Sequence, residues 1–199
     1  MEDFAKTVYF NINQISNMII GIDPSINCTG ICVWDNNRNT HKYFMIPSKM
    51  TKKMNAFDHP LVSLLPYEKA DTKNLEYTDK EAAKFDNIYN ITKHIETIVD
   101  LFKPSYVVME GVSYGSMSSA AIVDLCFLNS AIRMILRQRN IPFTIVSPTS
   151  LKKFACSNGQ AEKDILIDAW KRLDQNIANI TTIKVDDLAD SYFLAHYNY

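Results

Sequence analysis

Apolar residues occur along this chain in short runs, and each run predicts either a buried strand or the inner face of a helix. Residues Met18–Asp23 read Met-Ile-Ile-Gly-Ile-Asp, a run too continuous for a half-exposed strand and bounded by Pro24. They therefore predict a buried central strand. Two shorter runs, Thr29–Trp34 and His41–Ile46, flank a polar turn at residues 35–39. Together the three runs predict a meander of three strands.

The periodicity fails between Pro47 and about Tyr77. Pro60, Pro66 and scattered lysines give neither a helix nor a strand a consistent apolar face in this segment. Irregular stretches of this length are unusual inside compact domains. The 47–77 segment is therefore expected to be either a functional loop or an insertion that contains some short helix.

Regular patterns resume at Thr78, where Thr78 and Glu81 have the spacing of a capping box at a helix start. That helix is expected to end at Lys103-Pro104. The predicted elements after it are a strand at 105–110, a helix at 118–139, a strand at 142–146, a short helix opened by Ser147-Pro148, and helices at about 160–173 and 184–197. Three strands, then α-β-α-β, then closing helices predict an α/β protein whose mixed five-stranded sheet has helices on both faces.

Composition narrows the function classes. The 199 residues have room for one medium domain, and a formal net charge of −1 excludes a polycation that coats nucleic acid by bulk attraction, so any nucleic-acid site must be a local patch. No uninterrupted run of about 18 apolar residues occurs, and the first 17 residues lack the layout of a signal peptide. We expect a cytoplasmic protein with no membrane partner, in the host cytoplasm if the Asn-, Ile- and Lys-rich composition reflects a viral genome.

Four carboxylates stand where the predicted elements would bring them together. Asp23 ends the first strand, Glu110 ends the fourth, and Asp187 and Asp190 lie three apart near the start of the last helix. Gly21, on the same strand face as Asp23, is expected to leave space beside that carboxylate. Taken singly, these acids suit a turn, a strand end and a helix cap. Together they repel one another unless a cation neutralises them, and an all-oxygen set favours Mg²⁺ or Mn²⁺ over zinc.

Four short motifs occur in a fixed order: Gly21-Ile22-Asp23-Pro24-Ser25 with Thr29-Gly30, then Val108-Met109-Glu110, then Ala161-Glu162-Lys163, then Asp187-Leu188-Ala189-Asp190 before an apolar helix. In this order they resemble the RuvC-type Holliday junction resolvases of the RNase H-like superfamily. The resemblance runs from about Met18 to His196. It implies one nuclease domain at 18–199 that follows an N-terminal extension at 1–17, with a 47–77 segment longer than the family usually has.

The resemblance implies that Asp23, Glu110, Asp187 and Asp190 are the catalytic metal ligands. Asp186 is a rival for Asp187, because an i,i+4 pair with Asp190 shares a helix face nearly as well, but the family spacing favours Asp187. The implied enzyme is a Mg²⁺-dependent endodeoxyribonuclease. Two ions about 4 Å apart would activate the attacking water and neutralise the leaving oxygen. The implied assembly is a homodimer that makes paired nicks across a four-way DNA junction.

Basic and aromatic residues near the acids are candidates for DNA contacts. Lys152 and Lys163 match basic positions of the family, and Lys153 is a further candidate near a helix start. Tyr114 lies one residue from the place where family members often carry an aromatic wedge, and it could stack on an exposed base. The alternatives are solvated lysines and an ordinary loop tyrosine.

Three other functions fit parts of the pattern. A RuvC-like nuclease could act on forks, flaps or other branched nucleic acid instead of four-way junctions. The actin and sugar-kinase ATPases also open with a Gly-Ile-Asp strand, but they need glycine-rich phosphate loops for which five glycines leave no place. A non-catalytic interaction domain would be favoured only if the carboxylates lay too far apart to share an ion.

Overall fold

The structure is a computed structural model that describes residues 17–112, 118–180, 183 and 185–197. The strands within these residues are β1 (Met18–Asp23), β2 (Cys28–Asp35), β3 (Thr40–Pro47), β4 (Val62–Leu64), β5 (Tyr106–Glu110) and β6 (Phe143–Val146). The α-helices are α1 (Lys52–Asn55), α2 (Tyr77–Phe102), α3 (Ser119–Gln138), α4 (Pro148–Cys156), α5 (Lys163–Leu173) and α6 (Val185–Ala195), and a 3₁₀ turn (Gln175–Ile177) lies between the last two.

All six strands belong to one mixed sheet, in the order β4-β3-β2-β1-β5-β6. Strands β1, β2 and β3 form the predicted antiparallel meander. Strands β5 and β6 extend the sheet parallel to β1, and α3 makes the crossover between β5 and β6. The predicted α/β class with a mixed sheet is therefore confirmed, but the sheet has six strands where five were expected.

The sixth strand comes from the 47–77 segment, which pairs with the outer edge of the meander. Strand β4 runs parallel to β3, and backbone bonds continue on either side of it. The amide of Tyr43 donates to the carbonyl of Leu61 at 2.7 Å, and the amide of Leu65 donates to the carbonyl of Met45 at 2.8 Å. The segment thus contains a short helix and a short strand, and three strand residues are too few to show a period in the sequence.

Helices cover both faces of the sheet. Helices α2 and α3 pack on one face against β-strand side chains such as Ile20 and Ile22. Helices α4, α5 and α6 pack on the other face, around the fully buried Trp170. Because side chains alternate along a strand, Gly21 and Asp23 point to the face that α6 covers.

Helix α6 lies directly against the backbone of β1 and β2. A Cβ atom added at Gly21 would lie 2.0 Å from the carbonyl oxygen of Ser191, and one added at Gly30 would lie 2.1 Å from that of Asp187. Only glycine permits this approach at either position. The prediction of open space beside Asp23 is therefore wrong, since the backbone of α6 fills it.

The predicted capping box at Thr78 is also wrong. Helix α2 begins one residue earlier, at Tyr77, and its N-cap is Glu76, which makes no side-chain capping bond. Thr78 is then inside the first turn, where its hydroxyl cannot cap. The predicted cap at Ser147 does form, and Ser118 caps α3 in the same way: each hydroxyl accepts from the amide of the residue three further on.

Helix α3 is long and apolar enough to cross a membrane by length and composition alone, although polar and charged residues interrupt its apolar positions. One such helix is weak evidence for a membrane span, because core helices pass the same test. Leu128 and Ile132 of α3 are fully buried against the sheet. Oδ1 of Asp124, also in α3, lies 3.6 Å from Nζ of Lys84 in α2. The outer face of α3 remains open, with Phe127 56% and Met134 61% exposed.

A buried polar cluster joins β3 to the ends of α5 and α6. The hydroxyl of Tyr43 donates to Asp174 Oδ2 at 2.7 Å, and His41 Nδ1 lies 3.3 Å from the same oxygen. The other ring nitrogen of His41 is 2.8 Å from Nε2 of His196. Burial raises the pKa of Asp174, but hydrogen bonds from His41 and Tyr43 outweigh it and bring that pKa to about 2. Burial lowers the pKa of His196 to about 4.

Candidate active site

The two strand-end acids meet on the face of the sheet that α6 covers. Strands β1 and β5 are parallel, with Ile22 opposite Met109, so the next residues, Asp23 and Glu110, point to the same face. The two side chains form a hydrogen bond in which the Asp23 carboxyl donates to Glu110. The arrangement that would have excluded a shared site, with these acids on opposite faces, does not occur.

The first two turns of α6 bring the other two acids to the same place. The backbone of Asp187 contacts Gly30, and Gly30 is the strand partner of Asp23. The charges of Asp187 and Asp190 both raise the pKa of Asp23. All four acids that the resemblance singled out are therefore electrostatically coupled, although they come from three elements that are far apart in the sequence.

Burial and mutual repulsion hold protons on this cluster. Burial is the largest cause for each of three acids, followed by the neighbouring carboxylates. The pKa of Asp23 rises well above its usual value, that of Glu110 rises to about 7, and that of Asp190 rises to about 6. Such a group of acids is costly to ionise at neutral pH, which is typical of functional sites rather than of packing.

Two lysines partly offset the negative charge of the cluster: Lys152 in the middle of α4 and Lys163 at the start of α5. Lys152 and Lys163 both lower the pKa values of Glu110 and Asp190. The Lys163 ammonium also donates to Asp186 Oδ2 at 2.6 Å, while its side chain stays 72% exposed. Asp186 thus forms an ion pair at the rim, whereas Asp187 acts on Asp23 inside the cluster.

Of the other two candidate DNA contacts, Lys153 alone lies within the described residues. Lys153 is exposed and is not among the described groups that shift the pKa values of the four acids. Tyr114 lies outside the described residues. Sequence reasoning did not single out Lys49, Lys52 and Lys53, which line a groove near the start of β2, although scattered lysines in the 47–77 segment were a visible signal.

The donor set fits divalent cations that prefer oxygen. Across 17–112, 118–180, 183 and 185–197, no group of three or more His, Cys, Asp and Glu side chains is placed so that it could hold a metal ion as it stands. The four acids nevertheless lie close enough to repel one another, Asp23 is buried and the other three are half-buried, and Asp23 and Glu110 share a proton. A cation supplies the positive charge that such a set lacks, and carboxylate oxygens are the ligands that Mg²⁺ and Mn²⁺ prefer.

Solved structures share this fold. Two structures of Thermus thermophilus RuvC, one of them in complex with a Holliday junction substrate, align with TM-scores of 0.56 and 0.58 at 14% and 12% identity. Each alignment covers 89% of this chain, and 90% and 89% of the respective RuvC chains. The yeast mitochondrial Holliday junction resolvase Ydc2 aligns with a TM-score of 0.51 at 17% identity, over 98% of this chain and 82% of its own. At these identities the likeness establishes the RNase H-like fold.

Sequence comparison identifies the family. The crossover junction endodeoxyribonuclease RuvC of Prochlorococcus marinus (strain MIT 9312) is 25% identical over 118 residues, which are 59% of this chain and 72% of that protein. The family model described as crossover junction endodeoxyribonuclease RuvC matches residues 71–196. That match begins after β4 and therefore does not include Asp23. The assignment of Asp23 to the site rests on the fold and on its hydrogen bond with Glu110. The family match covers more than half of the chain, and the protein therefore belongs to the RuvC family of crossover junction endodeoxyribonucleases.

Proposed function

We propose that this protein resolves four-way DNA junctions by hydrolysing phosphodiester bonds with the help of bound Mg²⁺, or Mn²⁺ in its place. The observation that carries the proposal is the cluster of Asp23, Glu110, Asp187 and Asp190, which is electrostatically coupled and at least half-buried on a RuvC-family scaffold. Membership of this family makes the chain a nuclease, and the cluster is where its chemistry would occur. The four-way junction is the substrate of one of the structural relatives.

The four acids would hold the metal ions. Bound divalent cations supply Lewis acidity, which activates the attacking water and neutralises the leaving 3′ oxygen. Asp23 and Glu110 are placed to exchange their shared proton for this charge, because both face the same space at the ends of adjacent strands. The strands and the helix then fix the direction of all four carboxylates, and such pre-organisation provides most of what this chemistry asks of the protein.

We propose that lysines at the rim of the cluster bind phosphate. Lys152 and Lys163 act electrostatically on Glu110 and Asp190, so their ammonium groups lie beside the cluster. Lys163 is largely exposed and can reach a phosphate oxygen after leaving Asp186. We propose these two as contacts to the cleaved strand, while Lys153 and Tyr114 remain candidates from the sequence.

The outer surface of α2 and α3 is a candidate for the homodimer contact. Phe85 is 65%, Phe127 56% and Met134 61% exposed, and these residues border a cavity of about 460 Å³ between the two helices. Large apolar side chains gathered in one patch are typical of protein interfaces. Pairing through this surface would give one assembly two active sites, as paired cleavage requires.

The proposal is tested by incubating the purified protein with Mg²⁺ and labelled four-way junctions, three-way junctions, forks, flaps and linear duplexes. We expect paired nicks in the four-way junction and little cutting of linear DNA. Preferential cutting of forks or flaps would replace the junction by another branched substrate. Absence of cutting on every substrate with both Mg²⁺ and Mn²⁺ would contradict the assignment of the acid cluster.

A further inference from the structure

A second groove opens close to the acid cluster, between the 47–77 segment and the stretch that leads into α6. Its cavity measures about 660 Å³. Three exposed lysines line it, Lys49, Lys52 and Lys53, and its lining also includes the apolar side chains of Pro47, Met54 and Ile183. The groove therefore combines an apolar floor with a concentration of positive charge.

The charge of these lysines has no ion-pair partner in the part of the chain that the structure describes. Among the described residues, no carboxylate oxygen lies within 4.0 Å of the ammonium group of Lys49, Lys52 or Lys53. The chain as a whole carries a formal net charge of −1. Three unpaired cations at one groove are therefore a local feature of this surface, and they favour an anionic ligand.

The groove lies a short distance from the acids. Its lining includes Cys28, and two residues further along β2 is Gly30, the strand partner of Asp23. Two strand residues span about 7 Å, and the step to the neighbouring strand adds about 5 Å. At about 3.4 Å of rise per nucleotide, this path corresponds to roughly three nucleotides of one strand.

The lysines are carried on a segment that is already fixed to the sheet. The amide of Ser48 donates to the carbonyl of Asn27 at 2.9 Å, and the hydroxyl of Tyr67 donates to the carbonyl of Ile26. The Lys69 ammonium donates to the side chain of Asn27 at 3.0 Å, which adds a fourth cation near this end of the groove. A ligand would thus meet a pre-formed surface, which reduces the entropy lost on binding.

We propose that this groove binds the sugar-phosphate backbone of the nucleic-acid strand about three nucleotides from the bond that is cut. The lysines contact successive phosphates, and the apolar floor packs against sugars or bases. The inference rests on the proposed function, because it needs a strand that passes through the acid cluster. It gives the 47–77 segment a role in holding substrate, and no part of this segment before residue 71 lies in the matched family region.

The test compares the variant Lys49→Ala/Lys52→Ala/Lys53→Ala with a charge-matched control, Lys73→Ala/Lys80→Ala/Lys93→Ala. The control lysines are exposed and lie on or just before α2, which covers the opposite face of the sheet. Fluorescence anisotropy measures binding of a labelled four-way junction and of a single-stranded oligonucleotide in EDTA, over a series of salt concentrations. Each lost phosphate contact reduces the salt slope by about 0.9 for duplex DNA.

We expect the groove variant to lose about 2 to 3 units of slope on the junction and on the order of 10- to 100-fold in affinity near 0.1 M salt. The control variant should keep the wild-type slope. All the substituted lysines are exposed, so the folds should be retained, and Lys52→Glu alone should still weaken binding if the triple variant unfolds. Equal slopes for the groove variant and the control would overturn the proposal, as would equally tight binding of a poly-glutamate peptide of matched charge.

The two levels of inference can fail separately. If wild type cuts the junction but the groove variant keeps the wild-type slope, the groove is excluded and the nuclease function stands. If wild type cuts no branched DNA but its binding of DNA depends on the groove lysines, the groove is retained as a DNA-binding site and the proposed nuclease function is excluded. If wild type binds no DNA, both are excluded.

Discussion

Replacing Glu110 by Gln should make the metal-free protein more stable while abolishing cleavage. Glu110 is held at a pKa of about 7 by burial and by Asp190, against a usual value of 4.5. Below pH 4.5 the group is protonated in both folded and unfolded states and costs nothing. As pH rises from 4.5 to 7, only the unfolded state releases the proton, so the folded state loses stability.

The size of the effect follows from that difference. At about 1.4 kcal/mol per pH unit, a rise from 4.5 to about 7 corresponds to a cost of about 3 kcal/mol above pH 7. Glutamine carries no charge and keeps an oxygen that can accept from Asp23. For a chain of this size, 1 kcal/mol shifts the melting temperature by roughly 2–4 °C, so Glu110→Gln should melt about 6–12 °C higher at pH 8.

The assay is thermal unfolding by circular dichroism at pH 4.5 and pH 8, with and without Mg²⁺, beside a cleavage assay on a four-way junction. Wild type and variant should melt together at pH 4.5 and diverge at pH 8. Mg²⁺ should stabilise wild type more than the variant, because a ligand stabilises the state that binds it. Glu68→Gln, at an exposed position, is the control and should change neither measurement. Equal melting of wild type and Glu110→Gln at pH 8, or normal cutting by the variant, would refute the reasoning.

Four further outcomes are expected. Lys163→Ala should weaken junction binding and reduce the salt slope by about one, and it should free Asp186 from its ion pair; an unchanged slope by anisotropy would show that the lysine only faces water. Phe127→Glu should shift sedimentation from dimer to monomer and convert paired nicks to single ones, whereas an unaltered dimer would place the contact elsewhere. His196 is held neutral, because its pKa is about 4 against a usual 6.5. Wild type should therefore lose stability, by about 3 kcal/mol at most, as pH falls from 6.5 towards 4. The variant His196→Gln should show a smaller change of stability over this pH range. Asp174, with a pKa of about 2 against a usual 3.8, should add a second loss, of about 2 kcal/mol, between pH 4 and pH 2, which Asp174→Asn would remove.

The parts of the fold that repeat a strong local pattern could be predicted from the sequence. The run at β1 and the apolar period of α3 gave bounds within a residue or two of those observed. Strand β4 could not be predicted, because its three residues exist as a strand only through pairing with β3. The start of α2 was misplaced for a similar reason, since an extended Glu76 begins the helix without any side-chain cap.

The candidate site likewise has features that the sequence could predict and features that it could not. The order of the acidic motifs predicted which residues to examine, and the structure places Asp23 beside Glu110 and Asp187. The sequence could not show that Asp186 instead pairs with Lys163, because adjacent helix residues differ only in the direction of their side chains. Nor could it show the Asp174 cluster, whose members are up to 155 positions apart.

Because α6 packs directly on Gly21 and Gly30, backbone contacts set the distance between the two strand acids and the two helix acids. A methyl group at Gly21 would need the helix to retreat by about 1 Å merely to reach the 3.0 Å that real Cβ contacts respect. That retreat would carry two of the carboxylates away from the other two in a single rigid step. Substitutions at Gly21 or Gly30 are therefore expected to disturb the active site far more than substitutions in the surrounding core, where side chains can readjust one by one.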